Sequence, residues 1–312
     1  MENLIVAFNA VLPVMLCIML GYFLARINMI KEELRKGLNS LCFKVFLPMY
    51  LFNSVYETDV STAFNPGLMI FCCLGMIAWF AALMAVIPRM EQENPRRGVL
   101  IQAMFRSNFA LFGLPMAETL CGAENMGPTN LLIGVCVPLV NILAVICLET
   151  FRGGKPSVKK MFIGIAKNPL IIASILGLVF NLLNIPLYTG LKKTLVDLGK
   201  VATPLSMVAL GASFSFASAR IYRKQLVLGC LGKLVLCPLL TVAAGALLGF
   251  RAETLVPILI YFGAPTAVSS FPMAQQMDGD GDLAAALVVF TSALAIVSIF
   301  LWVFVLKTFA LI

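Results

Sequence analysis

The chain has 312 residues, 61% hydrophobic and 12% charged, with a mean hydropathy of +0.97 and a formal charge of +8. Soluble domains are about half apolar and a quarter charged, so the composition excludes a large soluble core and points to a polytopic membrane protein. There is no histidine to serve as metal ligand or proton switch, and the basic residues fall in short loops, a topology signal rather than a nucleic-acid-binding face.

Ten apolar stretches follow one another at about 4–25, 34–56, 67–88, 98–121, 129–150, 168–186, 193–216, 226–249, 254–276 and 283–309. Each is long enough for a hydrocarbon core of about 30 Å. The second and seventh each contain a lysine and a proline. The nine cysteines lie in or beside these stretches without a CxxC pair. They read as small apolar packing residues rather than disulfides or a metal site. No cofactor is expected. Glu2 and the absence of a basic leading segment argue against a cleaved signal peptide.

The loops after stretches 1, 3, 5 and 7 carry fifteen Lys and Arg residues, against four on the other side, Lys192, Lys193, Arg251 and Lys307. Basic loops stay in the cytoplasm, which places both termini outside it. The basic loop 151–167 is expected to hold a short amphipathic helix on the inner membrane surface. Lys44, Arg106, Lys200 and Lys233 lie inside stretches.

A shift of 156 residues lays Pro13 on Pro169, Gly21 on Gly177, Lys44-Val45 on Lys200-Val201 and Pro48 on Pro204. A shift of 150 lays Phe112-Gly113-Leu114-Pro115 on Phe262-Gly263-Ala264-Pro265. Two halves emerge, 1–150 and 168–312, each with five spans. An odd number of spans sends the second half into the membrane from the opposite side, an inverted repeat. The fold class is therefore an all-α membrane protein of ten helices in a 5+5 inverted repeat, with helices 4 and 9 broken at proline.

A Gly-x-Pro inside a span breaks the helix, because proline lacks the N–H and clashes with the preceding turn. Breaks at matching positions of two halves are a pointer to a transporter's binding site. A half-helix is expected to begin at Pro115 and at Pro265, each turning a partial positive charge toward mid-membrane, where an anion is favoured. The alternative is a pair of packing kinks.

Arg106 precedes the first break. A charge at that depth faces a cavity or a partner, so it either grips a substrate carboxylate, pairs with an acid or snorkels to the interface. Glu118 is twelve residues on, about 18 Å along a helix, and cannot be that partner within it. Asn108, Ser269 and Ser270 flank the breaks and serve either as ligand contacts or as helix–helix glue. Asp197 and Lys200 share a helix face and read as an ion pair. Lys44 lacks such a neighbour, and Lys233 is left without a role.

Two patterns are decoys. Asp278-Gly279-Asp280-Gly281-Asp282 begins like a calcium loop, but Leu283 and Val289 stand where glycine and a bidentate glutamate are needed. Gly279–Asp282 also reads G-x-G-D, as in intramembrane aspartyl proteases. It lies in a loop, and Asp282 as N-cap of the last span explains it. An intramembrane protease using Asp282 and Asp197 is the alternative from another functional class, and an anion channel is a third.

RSNFALFGLPMA (106–117), NPLIIASILGL (168–178), ATPLSMVALGAS (202–213) and APTAVSSFPMAQQ (264–276) together resemble motifs of the auxin efflux carrier family. The resemblance covers essentially the whole chain. It implies a scaffold of helices 1, 2, 6 and 7 and a mobile domain of helices 3–5 and 8–10. It also implies crossing broken helices, elevator-type transport and a homodimer formed through the scaffold. Family substrates are organic anions, auxin in plants and dicarboxylates in some bacterial members. The family's crossover site carries over onto Asn108, Gly113, Pro115, Pro265, Ser269 and Ser270. Ser269 or Ser270 stands where relatives often have asparagine. The expectation is a secondary transporter of a small organic anion, not an enzyme, in the cell membrane, with Arg106 and the crossover residues as its substrate site.

Overall fold

The computed structural model describes residues 2–57, 65–109, 113–122, 126–152 and 158–312. Among them the structure is helical, with no strand. In chain order the helices are α1 Glu2–Arg26, α2 Glu32–Leu41, α3 Leu47–Tyr56, α4 Pro66–Met90, α5 Asn94–Phe105, α6 Leu114–Cys121, α7 Gly127–Thr150 and α8 Val158–Lys167. They continue as α9 Pro169–Leu182, α10 Thr189–Ser213, α11 Phe216–Ile221, α12 Arg223–Leu231, α13 Cys237–Leu247, α14 Ala252–Gly263, α15 Ser270–Gln276 and α16 Gly281–Thr308. Single π-helical turns, Cys42–Phe46 and Gly232–Leu236, join α2 to α3 and α12 to α13. Each precedes a proline, Pro48 or Pro238, whose missing N–H loosens the ladder.

Among the described residues, four helices are long and apolar enough to cross a membrane: Pro66–Met90, Thr189–Ser213, Arg223–Leu247 and Gly281–Thr308. Shorter apolar helices run over Leu12–Arg26, Val135–Thr150, Pro169–Leu182 and Thr254–Gly263. The basic loop does contain a helix, α8. None of the cysteines is joined in a disulfide.

The helices sort into two packed groups. In one, α1 lies along α10 and α3 along α9, with α10 also against α3, and α1 packs extensively on α16 of the other. In the other, α4, α5 and α7 pack together, α13 on α14, and α12 and α15 on α16. Glycine sets the close approaches in the first group. A Cβ on Gly21 would run into the backbone carbonyl of Val208, and one on Gly177 into that of Phe52 at 2.7 Å. Only hydrogen at these positions lets the backbones touch, which is how helices associate where lipid offers no hydrophobic driving force.

Two expectations at helix starts are corrected. The N-cap of α16 is Asp280, not Asp282: its side chain accepts from the Leu283 N–H at 3.0 Å, and Asp282 sits exposed in the first turn. The cap must sit outside the helix with extended backbone, and Asp280 has that geometry, with φ −69° and ψ 95°. The second half-helix begins at Ser270 rather than at Pro265.

Candidate functional site

The site grows from two interrupted helices that lie against each other. Helix α5 stops because Arg106 turns extended, with φ −73° and ψ 130°. Helix α14 stops because Ala264, immediately before Pro265, does the same, with φ −62° and ψ 152°. The end carbonyls of both helices lose their intrahelical partners and must find others away from water.

They do so across the junction. From the α5 end, the Ala103 carbonyl accepts from Thr266 Oγ1 at 2.8 Å and the Met104 carbonyl from Trp79 Nε1 at 3.2 Å. From the α14 end, the Tyr261 carbonyl accepts from Ser107 Oγ and the Phe262 carbonyl from Lys233 Nζ at 3.1 Å. The Asn108 N–H donates to the Pro265 carbonyl at 2.7 Å. Thr266, Ser107 and Asn108 thus stitch each break to the other, and Trp79 of α4 and Lys233 of the turn Gly232–Leu236 satisfy the remaining two carbonyls.

At the start of α15, the Ser270, Phe271 and Met273 N–H groups bond back to Ala267, Val268 and Ser269 at 2.9, 3.2 and 3.3 Å, and residue 272 is a proline. This corrects the expectation of free N–H groups facing an anion at the second break: the turn Ala267–Ser269 uses them. At the first break α6 begins at Leu114 with Pro115 in its first turn, as expected. Phe112 and the Pro115 side chain lie outside the described residues.

Beside the junction is a cavity of about 70 Å³. The unwound segment lines one wall with Arg106, Ser107, Asn108, Val268 and Ser269. Leu47 and Tyr50 of α3, Leu170 of α9, and Thr203 and Ser206 of α10 line the opposite wall. The cavity therefore lies between the two packed groups of helices.

Arg106 dominates its chemistry. It is 4% exposed. Nη2 donates to Asn141 Oδ1 at 2.7 Å and Ser269 Oγ at 3.0 Å; Nη1 donates to Met273 Sδ at 2.9 Å and Ser270 Oγ at 3.4 Å. Nε has no partner. Among the described residues no carboxylate lies within 4.0 Å. A guanidinium surrounded by neutral acceptors keeps its full charge uncompensated, an expensive arrangement unless an anion completes it. The Asn108 side-chain nitrogen is also buried without a partner.

Of the residues singled out from the sequence, Arg106, Asn108 and Ser269 meet at the cavity, and Ser270 reaches Arg106 from behind. Gly113 is buried against Ile260 and Phe109 and has a packing role. Pro265 contributes its carbonyl. Asn141 of α7 was not foreseen, although an amide in an otherwise apolar stretch is the kind of residue that warrants attention. Asp197 and Lys200 form the expected pair, at 3.7 Å and exposed. Asp282 instead has Ser218 Oγ at 3.5 Å, so the two aspartates of the protease reading have different partners.

These features occur in a chain with identifiable kin. The membrane transport protein family, to which the auxin efflux carriers belong, matches it over residues 6–303. The chain belongs to this family. An uncharacterized transporter of Methanothermobacter thermautotrophicus is 27% identical over 304 residues, covering 96% of this chain and 98% of the relative. An uncharacterized transporter of Methanocaldococcus jannaschii is 23% identical over 316 residues, covering 96% and 99%. The transporter's basic loops are bound together at one end. Arg96 pairs with Asp280 at 3.3 Å, Tyr222 donates to Asp280 at 3.2 Å, and Arg152 pairs with Asp278 at 2.8 Å. Burial alone would raise the Glu91 carboxyl, but hydrogen bonds from Gln225 and from the Glu93 and Gln92 N–H groups outweigh it and hold the group below its ordinary value.

Proposed function

We propose that this transporter is a secondary carrier of a small organic anion, with dicarboxylates such as malonate as the class to test. The observation that carries the reading is Arg106, a buried cation without a carboxylate, aimed at a cavity beside two helix breaks. A space of about 70 Å³ holds only about five waters, so it suits the carboxylate end of a small molecule. The Arg106 fork would take the carboxylate, and Asn108 and Ser269 would orient it.

We read the chain as ten spans in two inverted halves. The shift of 156 carries Gly21 to Gly177 and Phe52 to Val208, and the packing pairs Gly21 with Val208 and Gly177 with Phe52. The same contact made twice with its partners exchanged is what a two-fold axis in the membrane plane produces. The cavity between the two helix groups supports elevator-type access, in which α4–α7 and α11–α16 move against α1–α3, α9 and α10. Lys44 and Lys200 are exposed on the scaffold's outer face, and a second copy covering that face would shield them from lipid. Both termini would lie outside the cytoplasm of the cell membrane, with α8 on the inner surface.

The deciding experiment is uptake of labelled carboxylates into proteoliposomes. Saturable uptake of a carboxylate, lost in Arg106→Ala, is the expected result. Equal uptake by the variant would refute the assignment of Arg106.

A further inference from the structure

Lys233 lies in the π turn Gly232–Leu236 and is completely buried. The turn presses against α5, since a Cβ on Gly232 would collide with the Met104 side chain. The ammonium donates to Ser107 Oγ in the first break and to the Phe262 carbonyl, at 3.1 Å, at the end of α14. Ser107 in turn donates to the Tyr261 carbonyl. Among the described residues no carboxylate lies within 4.0 Å of Lys233.

The ammonium thus sits where a hydroxyl from one interrupted helix and a terminal carbonyl from the other converge. The C-terminal end of α14 carries a partial negative charge that favours a cation there. In carriers with broken helices, unwound carbonyls and half-helix C-terminal ends are what coordinate a coupling sodium or proton. Here the oxygens are taken, and a second cation would meet like-charge repulsion from Lys233. Lys233 lies behind Ser107, a cavity-lining residue, so it does not itself enter the cavity.

We propose that the Lys233 ammonium is the resident cation of the junction. It occupies the position a sodium ion would need, holds Ser107 and the α14 end in register, and lets the anion bind without sodium. It is a positioning residue, and the inference rests on the reading of the cavity as an anion site.

The test uses the purified full-length protein in detergent, followed by thermal unfolding and by hydrogen exchange of peptides covering 106–109 and 262–266. Wild type is expected to melt at the same temperature in sodium chloride and in choline chloride of equal ionic strength, with the same malonate-induced shift in both. Lys233→Ala is expected to melt several degrees lower and to exchange faster in both peptides. Methylammonium, which supplies the missing donor, should reverse both effects, and tetramethylammonium, which has no N–H, should not. Lys233→Arg should behave closer to wild type than the alanine variant. Sodium stabilising the wild type over choline would overturn the proposal. So would Lys233→Ala with unchanged melting and exchange, or with no recovery in methylammonium. If the alanine variant does not fold, the wild-type salt comparison still decides. That comparison needs no substrate, so a protein that ignores sodium and also binds no carboxylate refutes the anion reading while leaving the assignment of the resident cation standing.

Discussion

Replacing Arg106 by methionine separates binding from folding. The guanidinium is buried, and its four Nη hydrogens are spread over Asn141, Ser269, Ser270 and Met273. In the empty protein it is an uncompensated charge whose desolvation costs several kcal/mol. Methionine removes that cost and leaves neutral acceptors that lose one partner each, about 1 kcal/mol apiece. These terms nearly cancel, so the melting temperature should change by no more than a few degrees. Binding should respond differently. A carboxylate about 4 Å from the guanidinium gains about 4 kcal/mol at an effective dielectric of about 20. Part of that offsets the anion's own desolvation, and the net worth of a hydrogen bond to a charged group is about 1.5–3 kcal/mol. The malonate dissociation constant should therefore rise about 10- to 150-fold. Isothermal titration and thermal unfolding on the same preparation would measure both. A large fall in melting temperature with unchanged binding would show that Arg106 only props up the junction.

Asn141→Asp is nearly isosteric and gives Arg106 an internal carboxylate at the place where Asn141 Oδ1 now accepts at 2.7 Å. The variant should melt higher and lose its malonate-induced shift; retention of the shift would argue against an anion at Arg106. Gly21→Ala places a methyl against the Val208 carbonyl and should cost about 1–3 kcal/mol as α1 and α10 separate. Gly177→Ala should behave alike against Phe52, and a melting curve unchanged by either substitution would refute this account of the packing. Glu91, held below the ordinary carboxyl value, adds stability at neutral pH that is lost as the pH falls through its lowered value. Glu91→Gln should therefore lower the melting temperature at pH 7 and narrow the gap to wild type toward pH 3, and a gap independent of pH would contradict this.

Membrane character was legible in the sequence because it depends on composition and on the length of apolar runs, which are local properties. The second break was legible for the same reason, because Pro265 removes an N–H wherever the chain goes, whereas α5 already ends at Arg106, nine residues before Pro115. Arg106, Asn108 and Ser269 could be named because polar side chains are rare enough in apolar stretches to stand out. Their shared cavity could not, because it depends on how α5, α14 and α7 lie against one another. Tertiary structure brought in Asn141 from another helix and gave Lys233 its place, with Ser107 and Phe262 as partners 126 and 29 residues away. It also moved the start of the second half-helix from Pro265 to Ser270, because the Pro265 carbonyl accepts from Asn108 and the following turn uses the N–H groups of α15. A break can be read from one residue's covalent chemistry, but the partners that satisfy the freed backbone groups come from distant parts of the chain and are set only when the helices pack.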